Sequence, residues 1–194
     1  MKIGIVVDGQ SEVVALPTLY PRLSTKHELL KPIFADMQQY STAALIAKSV
    51  EKRIQLICAK RATGVIVLVD REKRIDCPGA IAASLCAELS ARLSNYGFSM
   101  CAVVVKDRAF ENWLIADPTA FQGLTRRFSL KAGRVRSINA GSADTVDACN
   151  VLREAAMGTS YSKTVDAPRI LAKASPSAMA ANSRSFRKFA KEIA

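Results

Sequence analysis

A chain of 194 residues that is 49% hydrophobic and 23% charged has the composition of one globular domain with a sizeable core, and none of its apolar runs reaches the roughly 18–20 residues of a membrane span. Five cysteines without a CxxC pair and a single histidine, His27, argue against a disulfide scaffold, a zinc site and nuclease motifs built on paired histidines. The formal charge of +11 is uneven: from Arg126 onward 13 Lys/Arg face 5 Asp/Glu, leaving only +3 on the first 125 residues, and concentrated positive charge favours a polyanion partner.

Lys2–Val7 is short, continuous and β-branched, the pattern of a buried strand. It follows one lysine and lacks a cleavage site, so no signal peptide is expected and the location is read as cytoplasmic, with no membrane partner. "DGQSE" is a turn, and Gly9 or Ser11 opens a helix to about Tyr20. "LLKPIF" is a poorer strand, because Pro32 suits only an edge or a strand end. Ser41 to about Arg61 is a helix with Ala43, Ile46, Ala47, Val50, Ile54 and Ile57 in one stripe. Gly64–Asp70 is the strongest strand, apolar on both faces. A polar loop leads to a helix over Ala80–Leu93, then a strand at Met100–Val105. Phe110–Asp117 is a short helix stopped by Pro118, with Trp113 in the core. Beyond it, Arg126–Asn139 reads as a basic loop or hairpin, Ala143–Met157 as a helix, and Ser183–Ile193 as a basic amphipathic helix with Phe186, Phe189 and Ile193 inward. The cysteines lie in apolar segments and are expected as reduced core thiols.

Alternating strands and helices predict an α/β fold: a mostly parallel central sheet flanked by helices, Rossmann-like, with a basic helical C-terminal part. Residues 1–125 form the core and residues 126–194 a basic extension packed on it, one domain in all. In such sheets sites form at the carboxyl ends of the strands. Asp8 and Glu12 follow the first strand, Asp70 and Glu72 the central one, and Glu111 lies a short loop after the third. Clustered carboxylates raise one another's pKa and are costly without a cation. Mg²⁺ or Mn²⁺ suits such a set, because hard cations take oxygen ligands and leave positions for water and phosphate. A helix-capping role is the plain alternative for a single acid. Neither GxxxxGK[ST] nor GxGxxG is present, which disfavours a P-loop or a dinucleotide site.

"VVDGQSE" followed by "VLVDRE" resembles the Toprim domain of topoisomerases, primases and overcoming-lysogenization-defect (OLD) type nucleases. "FENWLIADP" is similar to a segment of small stand-alone bacterial Toprim-like proteins. The resemblance spans about Lys2–Pro118, with a weaker echo at "YSKTVDAP". It implies a Toprim-like fold and a metal-dependent nuclease acting on DNA or RNA, with Asp8, Glu12, Asp70, Glu72 and Glu111 around the metal. Glu12 serves as ligand or general base. Lys163, with Lys173 as runner-up, would steady charge on phosphate. A role in bacterial defence beside an ATPase partner is implied by resemblance alone. Two positions depart from the pattern: Asp8 stands where the family usually has Glu, and Asp70-Arg71-Glu72 replaces Asp-x-Asp.

Arg71, Lys73 and Arg74 adjoin the acids and can clamp a phosphate backbone, with Arg126, Arg127, Arg134 and Arg136 extending the track. Asp117 is read as ending a helix, and His27 as a bland surface residue. Two rival readings remain open. One is a non-catalytic module, basic and a homodimer, that docks nucleic acid or a partner through a degenerate metal site. The other is a phosphotransfer enzyme with a small substrate.

Overall fold

The computed structural model describes residues 1–37, 41–139 and 141–194. Its strands are β1 (Lys2–Val7), β2 (Glu28–Leu29), β3 (Ile33–Phe34), β4 (Gly64–Asp70) and β5 (Met100–Lys106). All pair in parallel, in the order β2-β1-β4-β5, with β3 also on β1. Since β4 takes one side of β1, the two-residue strands β2 and β3 share the other. They are one edge strand interrupted around Pro32, whose missing N–H cannot serve a ladder.

The helices are α1 (Gln10–Leu19), α2 (Ala43–Cys58), α3 (Pro78–Leu93), α4 (Glu111–Ile115), α5 (Ala132–Ile138), α6 (Ala148–Ala155), α7 (Lys163–Leu171), α8 (Pro176–Asn182) and α9 (Arg184–Glu192). Helices cover both sheet faces, and the period of two along each strand sorts the core. Val6, Val65, Val67, Val69, Val103 and Val105 meet the apolar stripes of α2 and α3. Ile3, Ile5, Val7, Ile66, Leu68 and Val104 face α1 and the C-terminal helices. Continuing that parity puts Asp70 and Lys106 on the second face. Gly4 is required where α2 crosses β1, because a Cβ there would lie 2.4 Å from Ile57 Cγ2.

Residues after 126 are built into this second core. Trp113 is fully buried, its ring 5.2 Å from Phe186 and 5.3 Å from Phe189, and its Nε1 donates to Ser185 Oγ at 2.8 Å. Buried Asp144 accepts from the Ser183 and Ser185 hydroxyls and the Ser185 N–H, which fixes the start of α9.

Several sequence expectations are corrected here. The basic stretch Arg126–Asn139 is not simply loop or hairpin: it contains α5, and only an isolated antiparallel bridge joins Phe128 to Ala156. Ala143–Met157 is divided, a 3-10 turn at Ala143–Thr145 preceding α6, because Asp147 caps a new helix by accepting from Asn150 N. α7 and α8 were not foreseen, as Pro168 lies inside one and Pro176 opens the other. All five cysteines are free, but Cys77 is exposed and the rest only half-buried, so they border the core without filling it. Among the described residues no helix is long and apolar enough to cross a membrane.

Candidate functional site

The carboxyl ends of β1, β4 and β5 converge on one lysine. Lys106 ends β5, pairs in register with Asp70 and is fully buried. Its Nζ lies 2.7 Å from Asp8 Oδ1, 2.5 Å from Glu12 Oε1 and 2.9 Å from Asp70 Oδ1. The second Asp8 oxygen accepts the backbone N–H of Asp70 at 2.6 Å, tying the ends of β1 and β4 together. The Phe110 ring, centred 5.9 Å from Nζ, turns its electron-rich face toward the cation and attracts it. Glu12 sits in the first turn of α1, where the helix dipole favours an acid.

Gly9 has ordinary extended backbone, φ −131°, so the turn itself does not need glycine. What it supplies is room: a Cβ there would lie 2.9 Å from Glu12 Oε2.

One ammonium cannot balance three carboxylates, and the proton affinities show how the remainder is met. Burial raises Glu12 well above the usual carboxylate range; Lys106 opposes this, but the Asp8 and Asp70 charges reinforce it. Burial likewise pushes Asp70 up to about 7, against Lys106 and helped by Asp8 and Glu111. At Asp8 the burial penalty is outweighed by Lys106 and the Asp70 N–H, so its carboxyl is held low. Lys106 rises well above its usual value, because the three acids overcome its desolvation. The cluster therefore favours the charged forms of Lys106 and Asp8 and shifts Glu12 and Asp70 toward their protonated forms.

A second acid–lysine pair stands beside it. Glu111, first residue of α4 and buried, meets Lys163, first residue of α7, at 2.8 Å, while the lysine side chain is 61% exposed. The Glu111 charge outweighs desolvation and raises Lys163, which stays cationic. Its field also reaches Asp70, Cys149 and Tyr161. Tyr161 Oη is buried without a hydrogen-bond partner among the described residues. Burial raises the Cys149 thiol, so it is not a ready nucleophile.

The structure thus brings Asp8, Glu12, Asp70, Glu111 and Lys163 to one edge and leaves Glu72 out. Glu72 is exposed on the turn after β4 with φ 49°, and no contact joins its carboxylate to the others. This turn is zipped to the one after β5: Arg71 N–H donates to Lys106 O, Glu72 N–H to Arg108 O, and the Arg71 guanidinium pairs with Asp107 at 2.9 Å. Lys173 is exposed beyond α7. Asp117 accepts from Thr119 N and Oγ1 and from Ser175 N, so it fixes chain turns.

Of the basic track, Lys73, Arg126 and Arg136 are exposed. Arg74 donates to Ser41 O and Arg134 pairs with Glu154. Arg127 grips buried Asp166 with two nitrogens and donates to the carbonyls of Met157, Thr159 and Ser160.

The sequence reading missed Lys106. The available signal was a lysine closing the apolar run "MCAVVV", level with Asp70 on the neighbouring strand.

Among the described residues no three His, Cys, Asp or Glu side chains are arranged to hold a metal ion. The point on which Asp8, Glu12 and Asp70 converge is filled by the lysine ammonium. Buried Asp70 Oδ1 and Glu111 Oε1 have no partner in hydrogen-bond geometry and meet only a lysine at ion-pair distance. Mg²⁺ is commonly held by one or two carboxylates plus water and phosphate.

Residues 22–194 match a family described as Domain of unknown function (DUF4276), a span that begins after Asp8 and Glu12. No curated protein and no solved structure matches the chain.

Proposed function

The chain belongs to the DUF4276 family, and from the acid–lysine edge of its sheet we propose a metal-dependent hydrolase that cleaves phosphodiester bonds in DNA or RNA in the cytoplasm. One observation carries this reading: carboxylates from β1, α1, β4 and α4 and lysines from β5 and α7 meet at the strand ends, with more acids than ammonium groups to balance them. The resemblance to Toprim nucleases points the same way.

Asp70 and Glu111 would hold Mg²⁺ or Mn²⁺, which would supply Lewis acidity toward a phosphoryl oxygen and a more acidic bound water. Lys163 stays cationic on the open rim, where it can pair with a phosphate oxygen as charge builds on it. Asp8 and Lys106 hold Asp70 in place. Glu12, buried and hydrogen-bonded to Lys106, anchors that lysine, and this position suits support better than general-base work. Of the predicted basic track, Lys73, Arg126 and Arg136 are exposed and can follow a nucleic-acid backbone.

Cleavage of linear, supercoiled and single-stranded substrates with Mg²⁺, Mn²⁺ or EDTA tests this. Metal-dependent products that fall roughly 100-fold or more in Asp70→Asn are expected. Absence of cutting by wild type, or equal cutting by Asp70→Asn, ends the catalytic reading.

One observation favours a second reading. A lysine filling the point shared by three acids also describes a metal site converted to structure, leaving a non-catalytic module that docks nucleic acid through its basic surface. Salt-sensitive binding without cleavage is its signature.

A further inference from the structure

We infer that Lys106 is a built-in cation standing where the inner carboxylates would otherwise hold a metal ion, so that an added divalent ion is left to Asp70 and Glu111. The inference rests on the metal-dependent reading for that outer position. Its claim about Lys106 is independent of activity.

The geometry is that of a filled cation site. Three carboxylate oxygens from two chain segments, one carrying Asp8 and Glu12 and the other Asp70, lie 2.5–2.9 Å from one nitrogen. An ammonium has three N–H donors and no acceptor; it donates to Asp8 and Glu12, and Asp70 Oδ1 faces it at ion-pair distance. Lysine is almost never fully buried unless paired, and Lys106 has no exposed surface. It is also placed by the sheet itself, since its register with Asp70 fixes the Cα and strand parity fixes the face. Unlike a metal ion, this cation cannot dissociate, so a chelator cannot remove it and the joint between β1, β4 and α1 persists without metal. Asp8 and Glu12, hydrogen-bonded to it, are thereby withdrawn from ligand duty, consistent with the absence of a three-ligand arrangement among the described residues.

Mn²⁺ titration of the full chain, read by the electron paramagnetic resonance of free Mn²⁺, tests this. Wild type is expected to bind an ion that Glu111→Gln loses and Glu12→Gln keeps. In the Glu111→Gln background, Lys106→Met is expected to regain Mn²⁺ binding, and adding Glu12→Gln is expected to abolish it again. The thermal midpoint of Lys106→Met should rise with Mn²⁺ and fall back with EDTA.

If folded Lys106→Met gains no ion, the inference is overturned. So it is if Glu12→Gln, still folded by circular dichroism, loses the wild-type ion, a result that stands even if Lys106→Met fails to fold. If wild type binds no Mn²⁺ but Lys106→Met does, the outer metal position falls and the role of Lys106 stands.

Discussion

Two ion clusters in this molecule, one buried and one partly open, are built on opposite principles. Arg127 meets one carboxylate, Asp166, and three main-chain carbonyls; burial works against Asp166, but the guanidinium and the Ser162 N–H outweigh it and keep the acid ionised. Charge and hydrogen bonds balance, and the product is a clamp between the end of the 3-10 turn Pro118–Leu124 and the start of α7. Around Lys106 they do not balance. Three acids share one ammonium, and the raised proton affinities of Glu12 and Asp70 reflect the imbalance. A balanced cluster explains itself as structure. An unbalanced one is kept at a cost to folding, and such costs gather where chemistry is done.

The largest contrast should appear on deleting each cation in metal-free buffer. Lys106→Met leaves ionised Asp8 without its buried counterion and is expected to cost about 3–5 kcal/mol. Arg127→Met, on a partly open surface, should cost about 2 kcal/mol through lost hydrogen bonds and an unpaired Asp166. Urea unfolding of both variants measures this. Equal losses, or a larger one at Arg127, would remove the distinction between the clusters.

Protonation sharpens the comparison. Asp70 and Glu12 have raised folded-state pKa values, so the folded protein binds more protons than the unfolded chain, and the protonated forms contribute stability that declines with rising pH. For Asp70 the window runs from 3.8 to about 7. Asp8 has the opposite sign, contributing above 3.8 and losing its contribution as pH falls through its lowered value. Lys106 contributes until pH climbs past its raised value, above 10.5. Urea midpoints in EDTA should therefore fall from pH 4 toward 7, with a flatter fall in Asp70→Asn. Parallel curves for the two proteins would show that Asp70 does not titrate as described.

What the sequence made legible follows from what its signals encode. Val-rich runs and the stripe of Ile46, Val50, Ile54 and Ile57 report burial directly, so the parallel sheet and its main helices were readable. Acids at strand ends were readable because strand direction fixes which ends share an edge. Lys106 was not, since a lysine after "AVVV" resembles a strand leaving the core, and only the register with Asp70 shows that it turns inward. α7 and α8 were hidden by Pro168 and Pro176, which look like breakers until the packing of α7 on α1 and of α8 on α9 is known, with Pro176 in the first turn of its helix. Glu72 was misplaced because its left-handed turn carries the side chain out, a backbone choice that "DRE" does not announce.

The smallest effect isolates Glu12. Gly9 has backbone angles any residue can adopt, so Gly9→Ala gains about 0.4–1 kcal/mol through the unfolded chain, a gain reduced because Gly9 is the N-cap of α1, where alanine is the poorer residue. Against this, the new methyl would lie 2.9 Å from Glu12 Oε2, and that side chain is held by Lys106 inside a closed cluster. Displacing it weakens one of three contacts to the ammonium, at roughly 1–2 kcal/mol for a charged hydrogen bond. The two terms have opposite signs and similar size, so a single variant is a poor witness. A double-mutant cycle separates them. Gly9→Ala should destabilise the wild-type background and become neutral or stabilising in Glu12→Ala, where no carboxylate opposes the methyl. If the substitution behaves alike in both backgrounds, Glu12 is not held against Gly9, and its share in fixing Lys106 is smaller than the 2.5 Å contact indicates.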